Sequence, residues 1–180
     1  TQINNTRDYH RYLGGSPTNL AMNVARLGLN STIVATVGDD GFGEYIFNRL
    51  EGEGVRTNYV STIANKPTSV IFVSRSESTP EFIPFREADS IISESQIPTE
   101  LLQRTRIFHT TSFALSKEPA QSTILKKAEE AFNIGCKLSI DYNYSSKIWS
   151  SKTKAFEVIK TYCKFNPLVK ISEDDMFRLF

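Results

Sequence analysis

The sequence has little cysteine and almost no excess of charge, and both deficits narrow the class of protein. Cys136 and Cys163 are the only cysteines among 180 residues. They are isolated, which argues against a disulfide framework and against a zinc site built from closely spaced cysteines, and is compatible with a reducing cytoplasm. The 21 basic and 20 acidic residues leave a formal charge of +1. We therefore expect no general attraction to polyanions and no nucleic-acid partner.

Long apolar stretches are absent as well. No run approaches the roughly 18 apolar residues that a membrane-spanning helix needs, and the first twenty residues lack the apolar core of a signal peptide. We therefore expect a cytoplasmic protein with no membrane partner. The chain begins at Thr1 rather than Met and stops at Phe180 inside an amphipathic pattern, so we also expect it to be a portion of a longer protein.

Helical and extended patterns alternate over two parts of the chain. In "PTNLAMNVARLG" (17–28), apolar residues recur at helical spacing, and the β-branched "STIVATVG" (31–38) follows as a buried strand. The alternation resumes at residue 99 and continues to the end. Because alternating strands and helices form parallel sheets, we predict an α/β fold of three layers, a parallel sheet with helices on both faces.

A different pattern occupies residues 57–90. Three extended segments, "TNYVSTI", "TSVIFVSR" and "PEFIPFR", are joined by polar turns such as "SESTP" with no helix between them. We predict that they form a small, separate antiparallel sheet.

The turn before the first helix, "GGSPTN" (14–19), combines flexible and stiff residues. Gly14 and Gly15 permit backbone conformations closed to other residues, Ser16 can cap the helix, and Pro17 suits its first turn. The amide of Asn19 can donate and accept hydrogen bonds at once, as the hydroxyls of a polyol do. Two interpretations remain open: a capped helix after a tight turn, or a site for a polyhydroxyl ligand.

These residues resemble the N-terminal signature of the ribokinase-like (PfkB) carbohydrate kinases. The matching positions are Gly14, Gly15, Pro17, Asn19, Ala21, Gly28 and Gly38. The stretch "VGDDGFGEYIFNRLEGEGV" (37–55) is also similar to the family, and the resemblance covers nearly the whole chain. It implies that Gly14 and Gly15 form a hinge, that Asn19 binds sugar hydroxyls, and that a β lid of about residues 1–13 and 57–90 covers the sugar.

The segment "SIDYNYSSKIW" (139–149) is similar to the D-x-N-x-R element of the family. The resemblance places Asp141 and Asn143 in the substrate site, at the carboxyl end of a strand, where open α/β sheets bind ligands. Ser145 stands where the arginine is expected, which argues against an acidic sugar. The alternative is a turn stabilised by the Asp and Asn side chains.

The segment "KISEDD" (170–175) resembles an N-x-x-E element that organises magnesium and phosphate in the family. Ser172 replaces the asparagine, Asp175 replaces the glutamate, and Glu173 lies between them. The resemblance implies residues near phosphate and metal, with any contact to Mg²⁺ through water rather than direct. The alternative is a helix cap, because Ser172 and Asp175 have capping-box spacing.

Four further residues have two interpretations each. Arg86 is either a lid arginine that faces the substrate or an exposed arginine of the flap. His109 lies either near the pocket or in the core. Asp39 and Asp40 are expected to cap the following helix, although the matching aspartate of the family sometimes lies close to the sugar. The spacing of "GDDGFG" does not fit a dinucleotide fingerprint.

The glycine-rich G-A-G-D turn that supplies the anion hole and the base aspartate in the family is absent from this sequence. We therefore expect residues 1–180 to be an incomplete ribokinase-like domain without the C-terminal ATP-binding part and without a catalytic residue. The resemblance implies a kinase that, with ATP, Mg²⁺ and a monovalent cation, phosphorylates a hydroxyl of a small fructose- or ribose-like sugar. A non-catalytic sugar-binding or regulatory relative and a nucleoside kinase are the alternatives. The resemblance also implies a homodimer through the lid.

Overall fold

The computed structural model describes residues 3–74 and 82–179. The helices in these ranges are α1 (Ser16–Arg26), α2 (Gly41–Gly52), α3 (Thr99–Gln103), α4 (Ala120–Asn133), α5 (Lys152–Cys163) and α6 (Glu173–Leu179). The strands are β1 (Thr32–Gly38), β2 (Arg56–Ile63), β3 (Val70–Val73), β4 (Phe82–Phe85), β5 (Ile107–Thr111), β6 (Lys137–Asp141) and β7 (Leu168–Lys170). None of the helices in these two ranges is long and apolar enough to cross a membrane.

The parallel strands form two sheets in the described part of the chain. One sheet pairs β1 with β2, and the other has the order β5-β6-β7, all in parallel. Helix α1 packs against β1 of the first sheet and β5 of the second, while α4 packs against β5 and β6. The predicted α/β architecture, with parallel strands and connecting helices, is therefore confirmed.

The antiparallel sheet is smaller than the sequence predicts. Strands β3 and β4 pair antiparallel, with Val70 opposite Phe85, whereas β2 pairs parallel with β1. Residues 57–63 were predicted in the antiparallel sheet. They instead follow β1 and α2 as the last strand of a strand–helix–strand unit, in which the second strand usually pairs parallel with the first. The predicted turn at 76–80 lies outside the described residues.

The segment before α1 has little regular structure where it is described. It contains a single 3₁₀ turn at Ile3–Asn5, and residues 6–13 are irregular. Its Tyr9 ring meets the Phe72 ring of β3 edge-on, with centroids 5.0 Å apart. Aromatic rings in this edge-to-face geometry attract each other electrostatically, in addition to the stabilisation that comes from burying their surface. This segment therefore contacts the β3–β4 sheet through Tyr9.

Two apolar clusters stabilise the fold. The smaller one surrounds β1 and β2 and includes Leu50 of α2 and Val37 of β1. The larger one lies among β5, β6, α4 and α5, and includes Ile140 and Tyr162, which are 1% and 0% exposed. Each fully buried side chain of this size stabilises the fold by about 1.5–3 kcal/mol. The ends of β5 and β6 are thus fixed by the larger core.

Candidate active site

The turn before α1 has a conformation that needs glycine at one position. Gly15 has φ of +96° and is the residue that precedes the helix, and a β-carbon is disfavoured there. The expected role of Ser16 as the cap is wrong: the helix begins at Ser16, and no side chain caps it. Pro17 lies in the first turn as predicted, and Gly28, at φ +79°, follows the helix end.

Ser16 instead joins α1 to the end of β6. Its Oγ donates a hydrogen bond of 2.6 Å to Oδ2 of Asp141. The other oxygen, Oδ1, forms an ion pair with Lys170 Nζ at 2.9 Å. The geometry of this pair is not that of a hydrogen bond. Asp141 is 8% exposed. The structure therefore brings the glycine turn and Asp141 together, which the resemblance required and the sequence spacing alone did not show.

Asn19 is exposed on the first turn of α1, and its backbone N–H donates to Gly15 O at 2.9 Å. Within residues 3–74 and 82–179 its side chain makes no hydrogen bond, and it does not line the cleft described below. Its amide is accessible to a ligand, but the structure does not bring it together with Asp141 or Asn143.

Asn143 ties together the chain segments that follow β5 and β6. Ser112 Oγ donates to the backbone oxygen of Asn143 at 2.9 Å and lies 3.2 Å from its Oδ1. The Phe113 N–H also donates to Oδ1, at 3.4 Å. The side-chain oxygen of Asn143 thus has a structural role, while the residue lines the cleft.

The capping interpretation of residues 172–175 is confirmed. The Asp175 N–H donates to Ser172 Oγ at 3.1 Å, and Ser172 Oγ in turn donates to Oδ2 of Asp175. Oδ1 of Asp175 accepts the N–H of Tyr144 at 3.0 Å, and the residue is 6% exposed. Both carboxylate oxygens of Asp175 are therefore engaged by protein groups, while Glu173 and Asp174 beside it are exposed.

Arg86 is not an exposed arginine of the flap. Its side chain is 9% exposed, with Nε donating to Asp89 Oδ2 at 2.8 Å and Nη1 donating to Ser116 Oγ at 2.6 Å. The guanidinium lies 4.0 Å from the centre of the Phe113 ring, a distance at which the ring face attracts a cation. Arg86 therefore anchors the end of β4 to the segment after β5, and it also lines the cleft.

His109 lies on β5 opposite Ser139 of β6, and its Nδ1 is 2.8 Å from Ser139 Oγ. Burial lowers the pKa of His109 below 6.5, and the negative charge of Asp141 opposes this shift in part. The imidazole is therefore neutral at pH 7. His109 is half-buried and lines the cleft.

The expected cap of α2 is confirmed for Asp40. Its Oδ1 accepts the N–H groups of Phe42 and Gly43 at 3.0 and 2.9 Å, and Oδ2 accepts the N–H of Thr68 at 2.7 Å. These bonds, that from Thr68 above all, lower the pKa of Asp40. A β-carbon on Gly38 would lie 2.4 Å from Lys66 O. Gly38, Gly43 and Asp40 of "GDDGFG" thus serve close backbone packing.

A large open cleft lies between the two parallel sheets and beneath the β3–β4 sheet. It is bordered by β1 on one side and by β5 on the other. The candidate residues that line it are Gly14, Gly15, Arg86, Asn143 and Asp175, whereas Asn19, Asp141, Ser172 and Glu173 do not. The structure therefore collects residues from four distant parts of the sequence around one cleft. Within the two described ranges, no group of three or more His, Cys, Asp or Glu side chains could hold a metal ion.

Comparison with known proteins defines the class of this chain. The model of the pfkB family of carbohydrate kinases matches residues 1–179. The chain therefore belongs to the pfkB family of carbohydrate kinases.

Individual relatives are sugar kinases. The chain is 36% identical over 172 residues to the ATP-dependent 6-phosphofructokinase of Thermoanaerobacterium thermosaccharolyticum, covering 96% of this chain and 53% of that protein. The fructokinase structure from Halothermothrix orenii matches with a TM-score of 0.89 and 31% identity, over 99% of this chain and 64% of that chain. An uncharacterized sugar kinase from Pyrococcus horikoshii in complex with ATP matches with a TM-score of 0.93 and 25% identity, over 99% and 60%. The chain spans about half the length of the curated relatives it matches.

Proposed function

We propose that the complete protein is a sugar kinase, which transfers the γ-phosphoryl group of ATP to a hydroxyl of a small, fructose-like or ribose-like sugar. The chain described above carries the sugar-binding part. The observation that carries the proposal is the cleft, because the glycine turn, Arg86 and Asn143 all line it. Arg86 and Asn143 both contact Phe113, just beyond the carboxyl end of β5, and open α/β sheets bind ligands at such strand ends.

Each candidate residue has a proposed role. Gly14 and Gly15 provide the hinge, supported by the positive φ of Gly15. Asn143 lines the sugar site, Asp141 holds the glycine turn beside it through the hydrogen bond from Ser16, and Arg86 holds the edge of the β3–β4 sheet. Asn19 donates to and accepts from sugar hydroxyls, and its support is the accessible amide on the first turn of α1.

ATP and Mg²⁺ are the proposed cofactors of the complete protein, with a monovalent cation, and the catalytic base lies outside this chain. Both oxygens of Asp175 accept hydrogen bonds from protein groups, which favours contact with Mg²⁺ through water over direct coordination. Ser172, Glu173 and Asp175 are proposed to lie near phosphate and metal, with water between them and Mg²⁺. A base near the sugar hydroxyl would accept its proton as the phosphoryl group arrives in line.

A phosphorylated sugar is a second candidate acceptor. It is favoured by one observation, the 36% identity to a 6-phosphofructokinase over 96% of the chain. The neutral sugar is favoured by Ser145, which stands where the family pattern has an arginine, and by Arg86, whose guanidinium is already paired with Asp89. Fructose and fructose 6-phosphate differ by a dianion, so a kinase distinguishes them by the cations that face the acceptor.

The test is a coupled assay of ADP release by the complete protein with ATP, Mg²⁺ and a panel of fructose, fructose 6-phosphate, ribose and adenosine. We expect turnover with at least one sugar and none with adenosine. Turnover with adenosine alone would identify a nucleoside kinase instead. Binding of fructose in calorimetry without any turnover would identify a non-catalytic relative. The cytoplasmic location and the homodimer through the β3–β4 sheet remain predictions, which cell fractionation and light scattering test.

A further inference from the structure

The two ends of β4 are held by different kinds of contact. At the Arg86 end, the buried guanidinium bonds to Asp89 and Ser116 and stacks on Phe113. Lys117 Nζ adds a 3.0 Å hydrogen bond to the backbone oxygen of Arg86. This end is therefore anchored by several contacts, most of them partly buried.

The opposite end of β4 is held to the core by a lysine. Lys147 Nζ donates to the backbone oxygen of Phe82, the first residue of the strand, at 2.9 Å. Lys147 is exposed and belongs to the segment that follows β6. A long, flexible side chain with a point charge can release a carbonyl and recapture it easily. Such a contact suits an edge that opens and closes.

Ser145 helps to place this lysine. Its Oγ accepts the backbone N–H of Lys147 at 3.3 Å, a local turn contact typical of serine. The residue that departs from the family pattern, Ser145, thus helps to form the turn from which Lys147 reaches β4. Lys147 also lines the cleft, as Arg86 does at the anchored end.

We propose that Lys147 is a positioning residue, a latch that holds the Phe82 end of β4, and with it the β3–β4 sheet, closed over the cleft. This inference rests on the proposed sugar kinase function, in which closure excludes water while the phosphoryl group is transferred. A single exposed bond shifts an open–closed equilibrium by a modest factor. The expected effect is therefore on productive closure and acceptor binding.

The test compares Lys147→Met, which keeps length and removes charge, with Lys147→Arg and with Lys160→Met, an exposed lysine on α5. In the complete protein, Lys147→Met should raise KM for the accepted sugar about threefold to fivefold and increase ATP hydrolysis relative to transfer. Lys147→Arg should bring both KM and the ratio of hydrolysis to transfer most of the way back to the parental values. Lys160→Met should change neither quantity. If both fructose and fructose 6-phosphate are accepted, the factor should be the same for both.

Three results would overturn the latch. One is a change in KM of less than about 1.5-fold in Lys147→Met. Another is a rise in KM confined to the phosphorylated acceptor, which would show that the lysine binds its phosphate. The third is an equal loss in Lys147→Arg and Lys147→Met. Amide hydrogen exchange of residues 82–85 gives a readout that does not need activity, and it should be faster in Lys147→Met than in the parent protein. If the parent protein phosphorylates no sugar, the proposed function fails, and the exchange rates alone then decide the latch.

Discussion

The Ser16 hydroxyl donates a 2.6 Å hydrogen bond to Asp141 across 125 positions of sequence. One partner opens helix α1 directly after the Gly14–Gly15 turn, and the other ends strand β6. The bond fixes the helix side of the turn to the larger core, so that any hinge motion at the glycines moves the segment before them and not α1. This relationship links the conformation of the turn to the carboxyl edge of the sheet.

Removing this bond should weaken the fold. Ser16→Ala leaves Asp141 Oδ2 without its donor, and we expect the free energy of unfolding to fall by about 1–3 kcal/mol. Urea unfolding of the complete protein measures it. Ser150→Ala, at an exposed serine of the loop before α5, is the matched control and should change stability by less than about 0.5 kcal/mol. Equal effects of the two changes would contradict a structural bond at Ser16.

Two glycines of α2, one near each end of the helix, should respond to alanine in opposite ways. Gly43→Ala would place Cβ 2.3 Å from Gly38 O, a contact that requires the backbone to shift, whereas a Cβ on Gly52 meets nothing within 4 Å. We expect Gly43→Ala to lower stability by about 1–3 kcal/mol and Gly52→Ala to raise it by up to about 1 kcal/mol. Thermal unfolding of the two variants checks the difference, and a neutral Gly43→Ala would show that this packing is looser than described.

Asp40 should stabilise the fold in a pH-dependent way. Its pKa is lowered by hydrogen bonds, first of all from the Thr68 N–H, so its stabilising contribution is present above the pKa of the unfolded chain and is lost as pH falls through the lowered folded value. Asp40→Asn should therefore be destabilised relative to the parent protein at pH 7, with a gap that narrows on acidification. Urea unfolding at several pH values measures the gap. A gap that does not depend on pH would contradict a charged cap.

His109 should titrate below its ordinary value of 6.5, because burial disfavours the imidazolium while Asp141 opposes the shift. The folded pKa is lowered, so the contribution of this group to stability is present above about pH 6.5 and declines as pH falls below it. Asp141→Asn should lower the pKa of His109 further by removing the opposing charge. NMR titration of the imidazole checks both shifts, and an upward shift in Asp141→Asn would refute the assigned coupling.

Much of the fold follows from local patterns in the sequence. The alternation of elements, the place of Pro17 in the first turn of α1, the cap at Asp40 and the capping role of Ser172 are all decided by neighbours within a few positions. These features were predicted because hydrophobic spacing and turn chemistry act over short distances.

The contacts that build the candidate site depend on distant partners instead. Ser16 was predicted to cap a helix, yet its partner is Asp141, and β2 was placed in the antiparallel sheet although it pairs with β1. Arg86 is buried by Asp89, Ser116 and Phe113. Which partner such a side chain bonds depends on the tertiary structure. A local sequence pattern therefore does not distinguish a helix cap from a hydrogen bond between distant elements.

The most direct test of the sugar-site proposal is the kinetic effect of Asn19→Ala in the complete protein, beside Asn23→Ala one turn further along α1. If the Asn19 amide binds sugar hydroxyls, kcat/KM for the accepted sugar should fall about 5- to 150-fold, equivalent to about 1–3 kcal/mol. Asn23→Ala should retain the parental value. A loss of less than twofold in Asn19→Ala, or the same loss in both variants, would contradict a carbohydrate site at this turn.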